Sequence, residues 1–247
     1  MSRKKHEDVT KSIITDSQLQ ETIRNNQAIR KLKIKHKSFT DKQKQFLETA
    51  LDPNTNLMFV NGPAGSAKTY ISIYCGLCFL SDQLVEELVY IRNAVESSDH
   101  KLGFLPGAQE DKMAPYLEPM KDKLEEFLSV VDIRYLQEEQ RIYGVPVGFL
   151  RGASWESKFV IVDEAQNMTE KELVTIMTRV GENSKLFICG DNMQSDIGNK
   201  SGFTNIMELF SDSESKNHGI HSFEFTESDI VRSELVKFIV KKIKSLR

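Results

Sequence analysis

The chain has 247 residues, 39% of them apolar and 28% charged, with a net charge of −3, the composition of an ordinary water-soluble globular protein. That length suits one large domain, or one domain with a small appendage. No apolar run approaches the roughly 18–20 residues of a membrane span, and MSRKKHEDVTKS leads into no apolar stretch, so the expectation is no membrane, no secretory signal and a cytoplasmic location.

The charge is unevenly placed. Residues 1–44 hold 12 Lys/Arg against 5 Asp/Glu, a basic arm of +7 on a body of −10. Such an arm suits attraction to nucleic acid, and equally suits a solubilising tail lying on its own acidic body. Three cysteines make no disulfide framework. The C-x-x-C of Cys75 and Cys78 sits in the apolar stretch ISIYCGLCFL with no second pair nearby, so we read it as helix core rather than a metal site.

In chain order, the pattern from Ser17 to about Ile34 is helix-like but polar, and RKLKIKHK alternates in a way that suits an edge strand. FTDKQKQFLETAL opens a helix, with Thr40 as its N-cap. Apolar strands then alternate with helices: strands at 57–61, 88–93, 158–164, 185–191 and 219–225, and helices at 69–80, 170–179 and 228–244. Residues 96–157 interrupt this rhythm and read as an excursion from the sheet, with one helix over 109–128. Continuous β-branched runs separated by helices predict an α/β fold with a central, mainly parallel sheet flanked by helices.

Three stretches carry chemistry. The first, strand 57–61 followed by GPAGSAKT and a helix, has the order and context of a phosphate-binding loop, G-x-x-x-x-G-K-[ST]. Loop and helix N–H groups would surround phosphates, Lys68 would reach the β- and γ-phosphates, and the Thr69 hydroxyl would bind Mg²⁺. Ala67 stands where the pattern has its second glycine. If that position is helical, alanine is tolerated, so we expect negative φ at Ala67 and positive φ at Gly65; positive φ at Ala67 would favour a broken loop.

The second stretch, VIVDEAQN, places Asp163 and Glu164 at the C-terminal end of a buried strand, where open α/β sheets bind ligands. Asp163 suits Mg²⁺ held through water, and Glu164 suits polarising an attacking water. The third, KLFICGDNMQSD, ends a strand in Asp191, Gln194 and Asp196. The Gln194 amide suits contact with both the γ-phosphate and the water; the plainer reading is a strand-end turn.

In this order GPAGSAKT, DEAQN and GDNMQSD resemble the nucleotide-binding core of superfamily-one helicases. IRNAVESSDHKLGFLPGAQEDKMAPYLEPM, LRGAS at 150–154 and SDIVRSELV at 228–236 narrow the resemblance to the PhoH-like family of phosphate-starvation-inducible-type ATPases, over roughly residues 38–240. The resemblance implies a P-loop NTPase (RecA-like) domain at 38–247 behind a basic extension at 1–37. It implies ATP and Mg²⁺ as cofactors, with Gly62, Pro63, Ala64, Gly65, Ser66, Ala67, Lys68, Thr69 and Tyr70 as the phosphate loop and Gln43 reading the adenine edge. Gln43 has a plainer reading as a solvated helix residue, and Gln45 is its rival.

The resemblance further makes Thr69 and Asp163 the metal ligands, Glu164 the catalytic acid and Gln194 the γ-phosphate sensor. Arg92 and Arg151 suit phosphate or nucleic-acid contacts, or structural ion pairs. Arg232 resembles an arginine finger, and in a chain with one motor domain it would serve a neighbouring subunit, implying a ring-shaped homo-oligomer, a hexamer first; its plainer reading is an ion pair with Asp229 or Glu234. Phe104, Tyr116 and Trp155 suit either base stacking or core packing. The expected activity is ATP hydrolysis coupled to RNA or single-stranded DNA, helicase-like or remodelling. The alternatives are a nucleotide-dependent binding switch without unwinding and, against the grain of DEAQN and GDNMQ, a small-molecule kinase.

Overall fold

The apolar runs form six strands: β1 (Leu57–Asn61), β2 (Glu87–Arg92), β3 (Ile142–Pro146), β4 (Lys158–Asp163), β5 (Lys185–Gly190) and β6 (Ile220–Glu224). The computed structural model describes residues 32–92, 109–147 and 154–231 together with Leu235, Phe238 and Lys242, and of 109–117 the backbone alone. All strand pairs are parallel, in the order β3-β2-β4-β5-β1-β6. β1 and β5 are buried at every residue, as strands covered on both faces must be.

The two-residue period of each strand divides the core. Met58, Val60, Tyr90, Phe159, Ile161 and Phe187 face one side, where they meet Phe46, Ile71, Leu77 and Phe127. Phe59, Val89, Ile91, Val160 and Ile188 face the other, against Leu173, Ile176, Phe203 and Ile206. The first layer holds α1 (Asp41–Ala50), α2 (Lys68–Ser81), α3 (Gln109–Phe127) and α4 (Val130–Glu138). The second holds α5 (Glu170–Met177) and α6 (Phe203–Leu209), and a short α7 (Ser213–Asn217) precedes β6.

Local chemistry sets the helix starts. Thr40 caps α1 in a reciprocal box with Gln43, and Thr169 caps α5 in the same way with Glu172. Asp212 caps α7, its carboxylate accepting the Ser215 N–H at 2.7 Å.

Three expectations need correction. RKLKIKHK is no edge strand where described: Leu32 to Lys37 is neither strand nor helix, and the sheet edges are β3 and β6. The alternation instead buries Leu32, packs Ile34 against the core, and lets the Lys35 N–H donate to the Phe127 carbonyl at 2.8 Å. Residues 96–157 are not only an excursion, because they return as α4 and then as β3, which pairs with β2. Gly144 and Pro146 hide that strand in the sequence, and only an edge position tolerates them. The final helix does not start at Ser228: Glu227–Asp229 is a single 3₁₀ turn, and Leu235, Phe238 and Lys242 are the described helical residues beyond it.

Among the described residues no helix is long and apolar enough to cross a membrane.

Candidate nucleotide site

β1 delivers the chain to a loop at the C-terminal edge of the sheet. The Gly62 N–H donates to the Gly190 carbonyl at 3.2 Å, and a Cβ at Gly62 would stand 2.7 Å from that of Phe225, so only glycine fits. The loop turns through Ser66, whose hydroxyl donates to the Pro63 carbonyl at 2.9 Å. Gly65 has φ 87°, as expected.

Ala67 has φ 67° and ψ 21°, a left-handed conformation, which corrects the expectation of negative φ. The residue lies one position before the helix: its carbonyl accepts the first helical N–H, from Ile71 at 2.9 Å. Loop closure rather than helix propensity sets its backbone. On the criterion stated from the sequence, the loop carries a defect. It is one of strain, of about 1–2 kcal/mol for an L-residue in this region, and not of shape. Positive φ at Gly65 and Ala67, with Ser66 between them at negative φ, is the alternation that makes a backbone concavity for anions. No side chain caps α2, so its first N–H groups open toward that concavity.

Lys68 Nζ donates to the carbonyls of Gly62 at 2.5 Å and Pro63 at 3.0 Å. Burial lowers the pKa of this ammonium, and the charges of Asp191, Asp163 and Glu164 oppose the shift. The Thr69 hydroxyl donates to Asp163 Oδ1 at 2.8 Å. Asp163 Oδ2 accepts the Tyr90 hydroxyl at 2.5 Å. Tyr90 is fully buried, and burial followed by the Asp163 charge drives its pKa far above the ordinary phenol value, so it remains a donor.

Glu164 directly follows β4 with φ 55°, a second strained residue at the same edge. Its Oε2 accepts Gln166 Nε2 at 2.6 Å, and its Oε1 lies 3.4 Å from the Arg92 guanidinium. Arg92 and Asp163 are register partners on β2 and β4, which places Arg92 beside the next residue, Glu164.

β5 runs between β1 and β4, so its last residues fall between loop and acids. Asp191 Oδ2 accepts the Ala64 N–H at 3.1 Å, its Oδ1 the Met193 N–H at 3.0 Å, and its own N–H donates to Gln166 Oε1 at 3.0 Å. Asn167 and Asp196 exchange two bonds of 2.8 Å, and the Ser195 hydroxyl donates to the Gln166 carbonyl at 3.0 Å. Gln194 rides on this braced turn with its backbone N–H on the Asp191 carbonyl at 3.0 Å and its side chain exposed.

The remaining candidates fall as follows. Gln43 is buried, not solvated, and its Oε1 accepts the Thr40 N–H at 3.0 Å, so half of the amide serves the helix start; Gln45 is exposed. The Tyr70 ring lies 4.4 Å from that of Phe127, and burial with the Glu126 carboxylate pushes its pKa up to about 12. Trp155 packs beside the second core face. Cys75 is buried and Cys78 partly buried on α2. Arg151, Arg232, Phe104, the side chain of Tyr116 and most of the basic arm lie outside the described residues, although the Val231 N–H, next to Arg232, donates to the Gly65 carbonyl at 3.0 Å.

The sequence reading missed Tyr90, Gln166 and Asn167 as members of the site. A signal existed for each: a hydroxyl inside a buried strand needs a partner, and two amides directly follow the acid pair.

A family profile described as PhoH-like protein matches residues 33–244. The chain belongs to the PhoH-like family. The PhoH-like protein of Synechocystis is 35% identical over 204 residues, 82% of this chain and 60% of that one. The PhoH-like protein of Bacillus subtilis is 35% identical over 188 residues, covering 75% and 57%, and Protein PhoH of Escherichia coli K12 is 33% identical over 183, covering 72% and 50%. The chain thus spans about half to three-fifths of the length of these relatives. Among solved structures, the Sulfolobus solfataricus SWI2/SNF2 ATPase core in complex with dsDNA gives a TM-score of 0.47 at 13% identity, over 81% of this chain and 46% of that one.

Proposed function

We propose that this chain binds ATP with Mg²⁺ and hydrolyses it, coupling the cycle to RNA or single-stranded DNA. The observation that carries the proposal is the 2.8 Å contact of Thr69 with Asp163, which joins the phosphate loop to the acid strand. A hydroxyl and a carboxylate side by side at a strand end are hard oxygen donors that fit Mg²⁺. Bound there, the ion would neutralise phosphate charge.

The chain's own residues supply the rest of this reading. Loop and α2 N–H groups bind the phosphates, and Lys68 leaves the loop carbonyls for the β- and γ-phosphates. Glu164 accepts the proton of the attacking water, aimed by Gln166. Gln194, exposed beside the acids, senses the γ-phosphate. Gln43 keeps one amide atom for the adenine edge. Arg151 and the basic arm supply nucleic-acid contacts, and Arg232 reaches a neighbouring subunit of a ring.

The test is ATP turnover with and without RNA and DNA at two salt concentrations, beside an unwinding assay on a labelled duplex and light scattering with Mg²⁺–ATP. Turnover stimulated by RNA, and more weakly at high salt, is the expected result. Absence of turnover overturns the proposal, and a monomer throughout removes the role of Arg232.

A second reading, a slow nucleotide-dependent switch without unwinding, is favoured by two features: Ala67 is strained, and the Glu164 carboxylate is ion-paired with Arg92. Nucleotide-dependent nucleic-acid binding without strand separation would select it.

A further inference from the structure

Tyr90 lies on β2 with its ring on the α2 side of the sheet, fully buried. Its register partner on β4 is Ile161, two residues before Asp163 and on the same face. A tyrosine side chain spans about the 6–7 Å rise of two strand residues, so its hydroxyl arrives at the level of the acid. There it donates to Asp163 Oδ2 at 2.5 Å, while Thr69 holds Oδ1 at 2.8 Å. Asp163 is itself only 7% exposed, so without the phenol its inner oxygen would face apolar core. Packing does not explain the hydroxyl, because phenylalanine fills the same space without a polar group to bury.

We propose that Tyr90 is a positioning residue that fixes the Asp163 carboxylate for the divalent cation of the nucleotide complex. The inference rests on the Mg²⁺–ATP reading above. Tyr90 approaches from behind, Thr69 from the loop, and between them the carboxylate has one orientation. Outer partners of a metal-binding carboxylate typically change metal affinity by about 10–100-fold when removed.

The experiment is an Mg²⁺ titration of the equilibrium binding of a fluorescent, non-hydrolysable ATP analogue, with an arm in EDTA. For Tyr90→Phe the Mg²⁺ midpoint should rise about tenfold while affinity in EDTA stays within twofold, and saturating Mg²⁺ should restore most of the turnover. Tyr90→Leu should show the same shift together with a lower thermal midpoint, which separates the hydroxyl from the ring. An unchanged midpoint in Tyr90→Phe overturns the proposal, as does an equal loss of affinity in EDTA, which marks a merely structural role. If the unsubstituted chain shows no effect of Mg²⁺ on nucleotide affinity, the Mg²⁺–ATP reading itself falls.

Discussion

Gln166 and Glu164 are joined by a 2.6 Å hydrogen bond from amide Nε2 to carboxylate Oε2, while the same amide accepts the Asp191 N–H at 3.0 Å. One buried side chain thus aims the catalytic candidate and ties it to the strand end that also holds the phosphate loop. Gln166→Ala would leave a carboxylate oxygen and a buried N–H without this partner. Turnover should fall about 100-fold, the scale of a small misplacement of a reacting group, with nucleotide affinity within twofold. Parallel steady-state kinetics and equilibrium binding check this, and an equal loss in both would count against an aiming role.

Lys68→Ala removes a side-chain cation that is seated on the loop carbonyls of Gly62 and Pro63. ATP turnover should drop by at least about 100-fold, the scale of losing one preorganised electrostatic contact. The fold should persist, because the ammonium is held by carbonyls that can instead meet water. Phosphate-release assays with circular dichroism test both halves.

Glu164→Gln keeps shape and removes the proposed base. Binding should persist while hydrolysis slows by about 10²–10⁴-fold, and any ATP-dependent oligomer should accumulate. Single-turnover kinetics with light scattering would detect it, and unchanged turnover would deny Glu164 the catalytic role.

Ala67→Gly should relieve the left-handed backbone. We expect a gain of about 1 kcal/mol, a thermal midpoint higher by about 2–4 °C, and a loop that turns nucleotide over at least as fast. A lower midpoint would show that the alanine conformation is not strained.

Cys189 is fully buried beneath the loop, and burial, with the Asp163 charge next, pushes its pKa up from 9.0 to about 12. At pH 8 the buried Cys189 stays a thiol, so the native protein should take iodoacetamide at Cys78 alone and at all three cysteines once unfolded. The pKa is raised on folding, so this group's contribution is intact below pH 9 and is lost as pH rises toward 12. Mass spectrometry after labelling, and melting curves above pH 9, read the two effects.

The sequence was informative where chemistry is local. A buried apolar run, a glycine-rich turn, Lys68-Thr69 and a helix follow one another in the chain, and their order is that of the phosphate-binding pattern. Asp163-Glu164 and the GDNMQSD turn were legible for the same reason, each lying at the end of an unmistakable strand. Five of the six strands could be read from apolar runs; β3 could not, because Gly144 and Pro146 break its pattern and only the free edge of β2 accepts it.

What the tertiary structure alone decided is the set of contacts between strand ends. Placing β5 between β1 and β4 brings Asp191 to the loop and Gln166 to Asp191, across 127 and 25 residues of chain. The parallel register of β2 with β4 sets Tyr90 behind Asp163 and Arg92 against Glu164. Ala67 shows the same division. Its helix-favouring side chain argued for negative φ, but the path from β1 through Gly65 into α2 required the opposite sign, and a strain of one or two kcal/mol is small beside the packing that fixes both ends of that path.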